Sequence, residues 1–383
     1  MVRSPGRRAR ALGLALLGAL AGACADDRVV VLRCGDDVVD PDQLCLGPPR
    51  STPIEGLEPH AIRVHDFDGD GDDDVLVIGL DGAVTARHLR GDGVGGLAPA
   101  IDPGVTGCSA HPSTADIDGD GRFDLVFPTC DLQLHLYFGD ASGRFTGPTP
   151  VDIPALPRIA AFADPDHDGL QDLLVLDAEG RLHVRHALAP AVLGDPVTTI
   201  LPAPAPAGFA LVWADDDDVG DLLLVDPDPG PLRLARGRLG GPFRAPEVIA
   251  PVARGLLVAD DIDGDLLADL AVLTAPRTFV VLGGDGSGAF VERQRVDLPF
   301  DPGPAVSADV DGDGDLDILI AAAQEPRVAV FHGKEGALVR APTIDLPAPA
   351  PQIALADLRR DGALDLVAAD FAGRSLTLLL ADP

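Results

Sequence analysis

The chain has 383 residues, a formal net charge of −32 and 46% hydrophobic residues. That apolar content excludes a disordered acidic chain, and the negative charge excludes a nucleic-acid binder, because phosphate repulsion would dominate. One Trp and one Tyr beside 44 Gly and 36 Pro read as many short strands joined by turns.

At the N-terminus Arg3, Arg7, Arg8 and Arg10 precede an apolar run from Ala11 to Ala21, followed by Gly22-Ala23-Cys24. A basic head, a short apolar core and a small-residue cleavage point make residues 1–23 a secretory signal. The run is too short to span a bilayer as a mature helix. Cys at the cleavage point resembles a bacterial lipobox, although Ala21 stands where a Leu is usual and Leu20 lies one residue earlier. The resemblance implies a diacylated Cys24 and anchoring to the outer membrane or cell surface; plain secretion is the alternative. Residues 24–49 then form a tether outside the folded domain.

Four cysteines remain, an even number for an oxidising compartment. Cys34 and Cys45 share the polar tether and are expected to pair there. Cys108 and Cys130 lie nearly opposite across a hairpin centred near residue 120, where strand partners are close enough for a bridge. No CxxC spacing supports a zinc site made by these residues.

From residue 66 onward an Asp-rich nonapeptide recurs: DFDGDGDDD (66–74), DIDGDGRFD (116–124), DPDHDGLQD (164–172), DIDGDLLAD (261–269), DVDGDGDLD (309–317) and DLRRDGALD (357–365). Successive starts differ by 50, 48, 97, 48 and 48 residues, so the longest gap holds two periods. A degenerate copy, WADDDDVGD (213–221), fills it, which makes seven repeats. In each repeat a short apolar strand precedes the loop and a strongly apolar one follows, as in DLLVLD. An alternating third strand such as QLHLYFG and a Pro-flanked fourth complete the unit. Four strands in a period of about 48 residues fit one blade of a β-propeller.

The fold expected is therefore all-β, a seven-bladed propeller over residues 50–383. The chain stops after SLTLLLADP, the third strand of the seventh blade. RSTPIEG (50–56) matches RAPTIDL (340–346), a fourth strand, so the N-terminal segment completes the last blade and leaves no open edge.

The pattern D-x-D-x-D-G-x-x-D places hard oxygen donors at positions 1, 3, 5 and 9, and Gly at position 6 permits a left-handed turn. Calcium takes six to eight oxygens in flexible geometry, which makes it the expected ion. The candidate ligands are Asp66, Asp68, Asp70 and Asp74; Asp116, Asp118, Asp120 and Asp124; Asp164, Asp166, Asp168 and Asp172; and Asp309, Asp311, Asp313 and Asp317. Asp261, Asp263, Asp265 and Asp269 form a weaker set, because Leu266 stands where Gly is expected. In loop 7 Arg359 occupies position 3 and could replace the ion's charge. Loop 4 lacks two residues of the pattern. Neither is expected to bind metal. An EF-hand is excluded, since position 12 is always apolar (Val77, Phe127, Val175, Val272, Ile320, Ala368) where a bidentate Glu is needed.

These loops, with turns such as FGDASGRF (138–145) and LGGDGSGAF (282–290), resemble the FG-GAP and VCBS repeats, including the propeller of integrin α subunits. The resemblance spans about residues 50–383. It implies that each loop joins the first two strands of a blade and that calcium stabilises the ring. It does not choose a function, since such repeats occur in adhesion domains and carbohydrate-active proteins alike.

The favoured expectation is a monomeric, non-enzymatic binding module for a protein or glycan ligand, held on the face opposite the loops. Arg181, Arg277, Arg327 and Arg374 recur after the second strands and are expected to pair with nearby acids rather than form an anion-binding ring. The alternative is a polysaccharide hydrolase or lyase. Trp213 and Tyr137 are too few for a sugar platform. His183 and His186 sit three apart on a strand and face opposite sides, so they are poor joint ligands.

Overall fold

The computed structural model describes residues 44, 46–81, 83–107, 112–129, 133–202, 205–239 and 241–381. The expected signal segment and Cys24, Cys34, Cys45, Cys108 and Cys130 lie outside the described residues. The described residues form seven antiparallel sheets, arranged as the blades of a propeller, and one separate two-stranded hairpin.

Blade 1 comprises Glu58–His65, Asp74–Asp81, Ala83–Leu89 and Thr106–Gly107. Blade 2 comprises Ser113–Ala115, Asp124–Pro128, Gln133–Gly139 and Phe145–Asp152. Blade 3 has Pro157–Ala163, Asp172–Asp177, Arg181–Arg185 and Val197–Ile200, with a small hairpin of Ala187–Ala189 and Val192–Leu193 before its fourth strand. Blade 4, the degenerate repeat, is complete: Gly208–Val212, Asp221–Val225, Gly230–Ala235 and Glu247–Ala253. Blade 5 runs Gly255–Asp260, Asp269–Ala275, Thr278–Gly284 and Phe290–Asp297. Blade 6 runs Pro302–Ala308, Asp317–Ala322, Arg327–Lys334 and Ala337–Arg340, and Ile344–Asp345 also pairs with its third strand. Blade 7 takes Gln352–Ala356, Asp365–Asp370 and Ser375–Leu379 from the C-terminus and Arg50–Pro53 from the N-terminus.

The strand composition follows from position in the blade. A second strand has a strand on each side and a blade on each face, so it is apolar between its ends, as in the fully buried Asp172–Asp177, where Leu173 to Leu176 lie between two aspartates. Its successive side chains enter different cores because strand side chains alternate. Leu174 and Leu176 pack with Leu222 and Leu224 of blade 4, while Leu173 and Val175 pack with Val126 and Leu136 of blade 2. Fourth strands lie at the rim and are largely exposed, as in Phe290–Asp297. The buried residues thus divide into clusters that each sit between two adjacent blades.

The ring closes as expected. Arg50–Pro53 pairs antiparallel with the third strand of blade 7, with Arg50 opposite Leu378 and Thr52 opposite Leu376. The N–H of Ile54 donates to the Arg374 carbonyl at 2.8 Å. Ile54 and Leu57 then fill the core between blades 7 and 1 beside Val75, Val77, Val367 and Leu376. The attachment begins a little before the expected boundary at residue 50. Gly47 N–H donates to the Leu380 carbonyl at 2.7 Å, and Leu44 and Leu46 pack against the core between blades 6 and 7.

Closure by a short, largely exposed strand makes the buried apolar residue that follows it decisive. Ile54 is 1% exposed, so Ile54→Ala should cost about 3 kcal/mol, measured as a lower urea midpoint with an unchanged m-value.

Candidate metal centres

The Asp-rich loops join the first and second strands of every blade and so lie together on one rim of the ring. Each loop closes on its own carboxylates. In blade 1, Asp66 accepts the N–H groups of Gly69 and Gly71 at 2.7 and 2.8 Å. Asp116 accepts those of Gly119 and Gly121, and Asp309 those of Gly312 and Gly314. Positions 3 and 5 each cap the N–H two residues on, as Asp118 does for Asp120 and Asp120 for Arg122. Position 6 is left-handed in every loop, with φ between +85° and +93° at its glycines. Asp218 and Leu266 adopt the same turn at +64° and +69°, so the loop imposes this conformation even on side chains that resist it.

Position 9 has a second role that its place in a ligand pattern does not reveal. Asp74, Asp124, Asp172, Asp221, Asp269, Asp317 and Asp365 are at most 1% exposed. One oxygen accepts an N–H from the far end of the third strand: Gly91, Gly139, Ala187, Gly237, Gly284, Gly333 and Ala381, at 2.7–2.9 Å. The other oxygen usually accepts an N–H from position 2 of the loop, as from Phe67, Ile117, Ala214, Val310 and Leu358. Pro165 occupies that place in blade 3 and has no N–H, and there the His186 ring donates to Asp172 at 2.6 Å instead. Burial pushes the carboxyls of Asp124, Asp221 and Asp269 up to about 6 despite these donors. The charge on this rim is therefore under-compensated by backbone alone.

Groups of three ligand-type side chains, with donor atoms within 4.8 Å of one another, occur in blades 1, 2, 3 and 6. They include Asp66, Asp68 and Asp70; Asp116, Asp118 and Asp124; and Asp164, Asp166 and Asp168. Blade 6 brings Asp311 and Asp317 to His332, and blade 3 brings Asp166 and Asp172 to His186. The oxygens Asp166 Oδ1, Asp261 Oδ1 and Asp311 Oδ2 are buried without a hydrogen bond. Hard, crowded and incompletely satisfied oxygens suit a divalent cation.

Several loops already contain a cation from the protein. Arg90 reaches Asp68 at 3.4 Å in blade 1, and Arg236 reaches Asp215 at 2.7 Å in blade 4. In blade 5 Arg293 pairs with Asp263 and Asp265. It crosses Gly283, where a Cβ would meet its Nε at 1.8 Å, so a side chain here would displace the arginine from its place. In blade 7 Arg359 lies 3.1 Å from Asp361 and 3.8 Å from Asp365. Blade 2 differs: Phe138 stands where blades 1, 3, 4 and 6 offer Arg or His, and among the described residues its one close cation is Arg122 on Asp120. Arg90, Arg236 and Arg293 escaped the sequence reading because they sit in other strands, whereas Arg359 lies within its loop and was read there. The signal was nonetheless present. Arg90, Phe138, His186, Arg236 and His332 each precede the residue whose N–H bonds the position-9 Asp.

The two departures in loops 3 and 4 contact each other. His167, left-handed at position 4 of loop 3, stacks on Trp213 at position 1 of loop 4 with ring centroids 5.0 Å apart. Loop 4 keeps its nine-residue span, with Trp213 replacing the carboxylate that would hold the turn. Tyr137 is 1% exposed and donates to the Thr106 carbonyl. Tyr137 is thus closed to a sugar, and His167 covers one face of Trp213.

On the opposite rim the recurrent arginines are paired. Arg181 bonds Asp177 at 2.8 Å and Glu179 at 2.6 Å; Arg277 bonds Asp301 and Arg374 bonds Glu58. Arg327 lies 3.8 Å from both Glu325 and Asp345. His183 bonds Asp177 and Thr198, whereas His186 bonds Asp172 on the loop side, so the two histidines serve separate places. Burial opposes ionisation of Asp177, but the Arg181 N–H and guanidinium, the His183 ring and the Glu179 N–H outweigh it and hold the carboxyl at about 2.

Residues 66–127, 261–320 and 309–368 match the FG-GAP-like repeat. No curated protein matches the chain. Among solved structures, the BP39L lectin from Burkholderia pseudomallei superposes with a TM-score of 0.61 at 18% identity, covering 86% of this chain and 96% of that one. The BBS1N chain of a complex with ARL6DN gives 0.59 at 15% identity, covering 87% and 95%. The periplasmic gluconolactonase PpgL of Pseudomonas aeruginosa gives 0.53 at 15% identity, covering 76% and 86%. At these identities the likeness is one of fold. The chain is thus a seven-bladed β-propeller that carries FG-GAP-like repeats, with acidic loops able to hold metal ions on one rim.

Leu266 is 68% exposed, so Leu266→Gly removes the left-handed strain with little loss of burial. It should stabilise the fold by about 1 kcal/mol in urea denaturation. Asp177 ionises more readily in the folded chain than the unfolded value near 3.9, so its contribution is present above that value and is lost as pH falls through about 2. Between pH 4 and pH 2 the native chain should lose more urea stability than Asp177→Asn.

Proposed function

We propose that this chain is a secreted, lipid-anchored binding module whose propeller is pinned on one rim by calcium, leaving the other rim for a protein or glycan ligand. The observation that carries this reading is the clustering of acidic oxygens in blades 1, 2 and 3 at the same place in each repeat. Blade 2 is the strongest candidate, since among the described residues no arginine reaches Asp116, Asp118 or Asp124 there and Arg122 pairs only with Asp120. Blades 4, 5 and 7 hold Arg236, Arg293 and Arg359 in place of an ion, which extends the expected weakness of loop 5 to a physical cause.

The anchor is argued from Cys24 and the signal before it, and it places the ring at the outer membrane or cell surface. A monomer suffices, because closure of the ring leaves the blades mutually covered. A non-enzymatic role is favoured by near-equivalent blades and by the pairing of His183 and the recurrent arginines with neighbouring acids. The lectin among the similar folds makes glycans the first ligand class to try. A screen of the purified protein on polysaccharides tests this directly: retention without product release supports a binding module, and release of oligosaccharides shows a hydrolase or lyase.

Calcium at about 100 times its Kd should add about 2.7 kcal/mol for each site linked to global unfolding. The melting temperature should therefore rise with calcium and fall with chelator. In calorimetric titration Asp118→Asn should remove one calcium equivalent, and unchanged stoichiometry would exclude blade 2 as a site.

A further inference from the structure

We propose that blade 6 holds a divalent transition metal of the zinc class, bound by Asp311, Asp317 and His332. This goes beyond the calcium reading, because it gives one blade a different ion. His332 lies on the third strand Arg327–Lys334, whereas Asp311 and Asp317 are positions 3 and 9 of the loop. Its Nδ1 is 3.1 Å from Asp311 Oδ2 and 3.3 Å from Asp317 Oδ1. Neither Nδ1 nor Asp311 Oδ2 makes a hydrogen bond of acceptable geometry, although the Asp311 side chain is 1% exposed. A buried carboxylate oxygen facing an unbonded ring nitrogen is costly unless the ring is protonated or a cation lies between them.

The spacing suits such a cation. Zinc binds carboxylate oxygen and imidazole nitrogen at about 2.0–2.2 Å in tetrahedral geometry, which puts neighbouring ligands roughly 3.3 Å apart. Three protein ligands leave a fourth position for water. Calcium selects oxygen donors, and imidazole suits zinc, copper, iron and nickel. The imidazole therefore shifts the preference of an otherwise calcium-like loop. Blade 3 shows the contrast. His186 Nδ1 is 2.6 Å from Asp172 and 3.8 Å from Asp166, so its nitrogen is already engaged in a hydrogen bond. In blade 2 the equivalent residue, Phe138, offers no donor.

The test is calorimetric titration of the chelator-stripped protein with Zn²⁺ in excess Ca²⁺, together with the visible absorption of the Co²⁺ form. The expected result is one Zn²⁺ per chain that survives excess Ca²⁺, and Co²⁺ bands typical of a four-coordinate nitrogen-containing site. Affinity should fall at least 100-fold in His332→Ala and Asp311→Asn and stay unchanged in His186→Ala. His332→Phe copies the residue found in blade 2 and guards against misfolding, checked by circular dichroism. Zn²⁺ binding that is indifferent to both His332 variants, or displaced fully by Ca²⁺, overturns the proposal. So does absence of Zn²⁺ binding, which would make His332 an internal cation between two carboxylates. The calcium site of blade 2 is read separately through Asp118→Asn, so failure of one assignment does not entail failure of the other.

Discussion

A buried carboxylate receiving backbone amides is the constraint on which each blade depends. The position-9 Asp begins the second strand, takes an N–H from the end of the third, and in most blades takes another from the loop just before it. It therefore joins three consecutive segments at one point. A buried carboxylate without such donors would be expensive, and with them it fixes where the loop ends and the strand pair begins. This explains why Asp221 and Asp365 persist in loops whose other ligand positions hold Trp213 or Arg359. The staple is needed whether or not an ion is present.

The same staple creates the electrostatic problem that the rest of the rim answers. Further carboxylates crowd the loop beside it, and burial already disfavours its ionised form. A mobile ion is one solution and a guanidinium is another. The blades use different strands to deliver the latter: Arg90 and Arg236 from the third strand, Arg293 from the fourth across Gly283, and Arg359 from within the loop. Arg360 extends the principle across the ring seam. It bonds the Asp70 carbonyl and pairs with Asp72, while Asp73 accepts the Asp357 N–H, so blades 7 and 1 are clasped at the loops as well as in the core.

The period of the loops and the apolar second strands made the seven blades legible in the sequence, including the degenerate fourth. The match between residues 50–56 and 340–346 exposed the closing strand, because a fourth strand has a recognisable Pro-flanked form. Pairings across the sheet were not legible. Arg293 lies 30 residues from Asp263, and nothing local indicates that it crosses a glycine to reach it. In the sequence His186 shows only as a poor joint ligand with His183, yet it stands in for the N–H that Pro165 lacks. Leu266 was read correctly as a misfit, because left-handed strain depends on the residue alone, whereas charge compensation depends on neighbours that only the folded blade assembles.

Ring closure and loop chemistry act at different radii and should be separable. The apolar clusters lie between blades and bind each sheet to the next, so they hold the ring against opening. The carboxylate staples lie within blades and set the hairpin that each cluster packs against. Loss of an ion from one loop would therefore loosen one hairpin, while the neighbouring clusters would still hold the blade in place. Such an arrangement tolerates divergence loop by loop. His167 and Trp213 show this at one pair of loops: loop 4 has Trp213 where the first carboxylate would stand, and that ring stacks on His167 of loop 3, which keeps its four aspartates. A propeller built on these terms can vary the cation in each blade, whether metal, guanidinium or imidazole, without altering the ring that presents its opposite face.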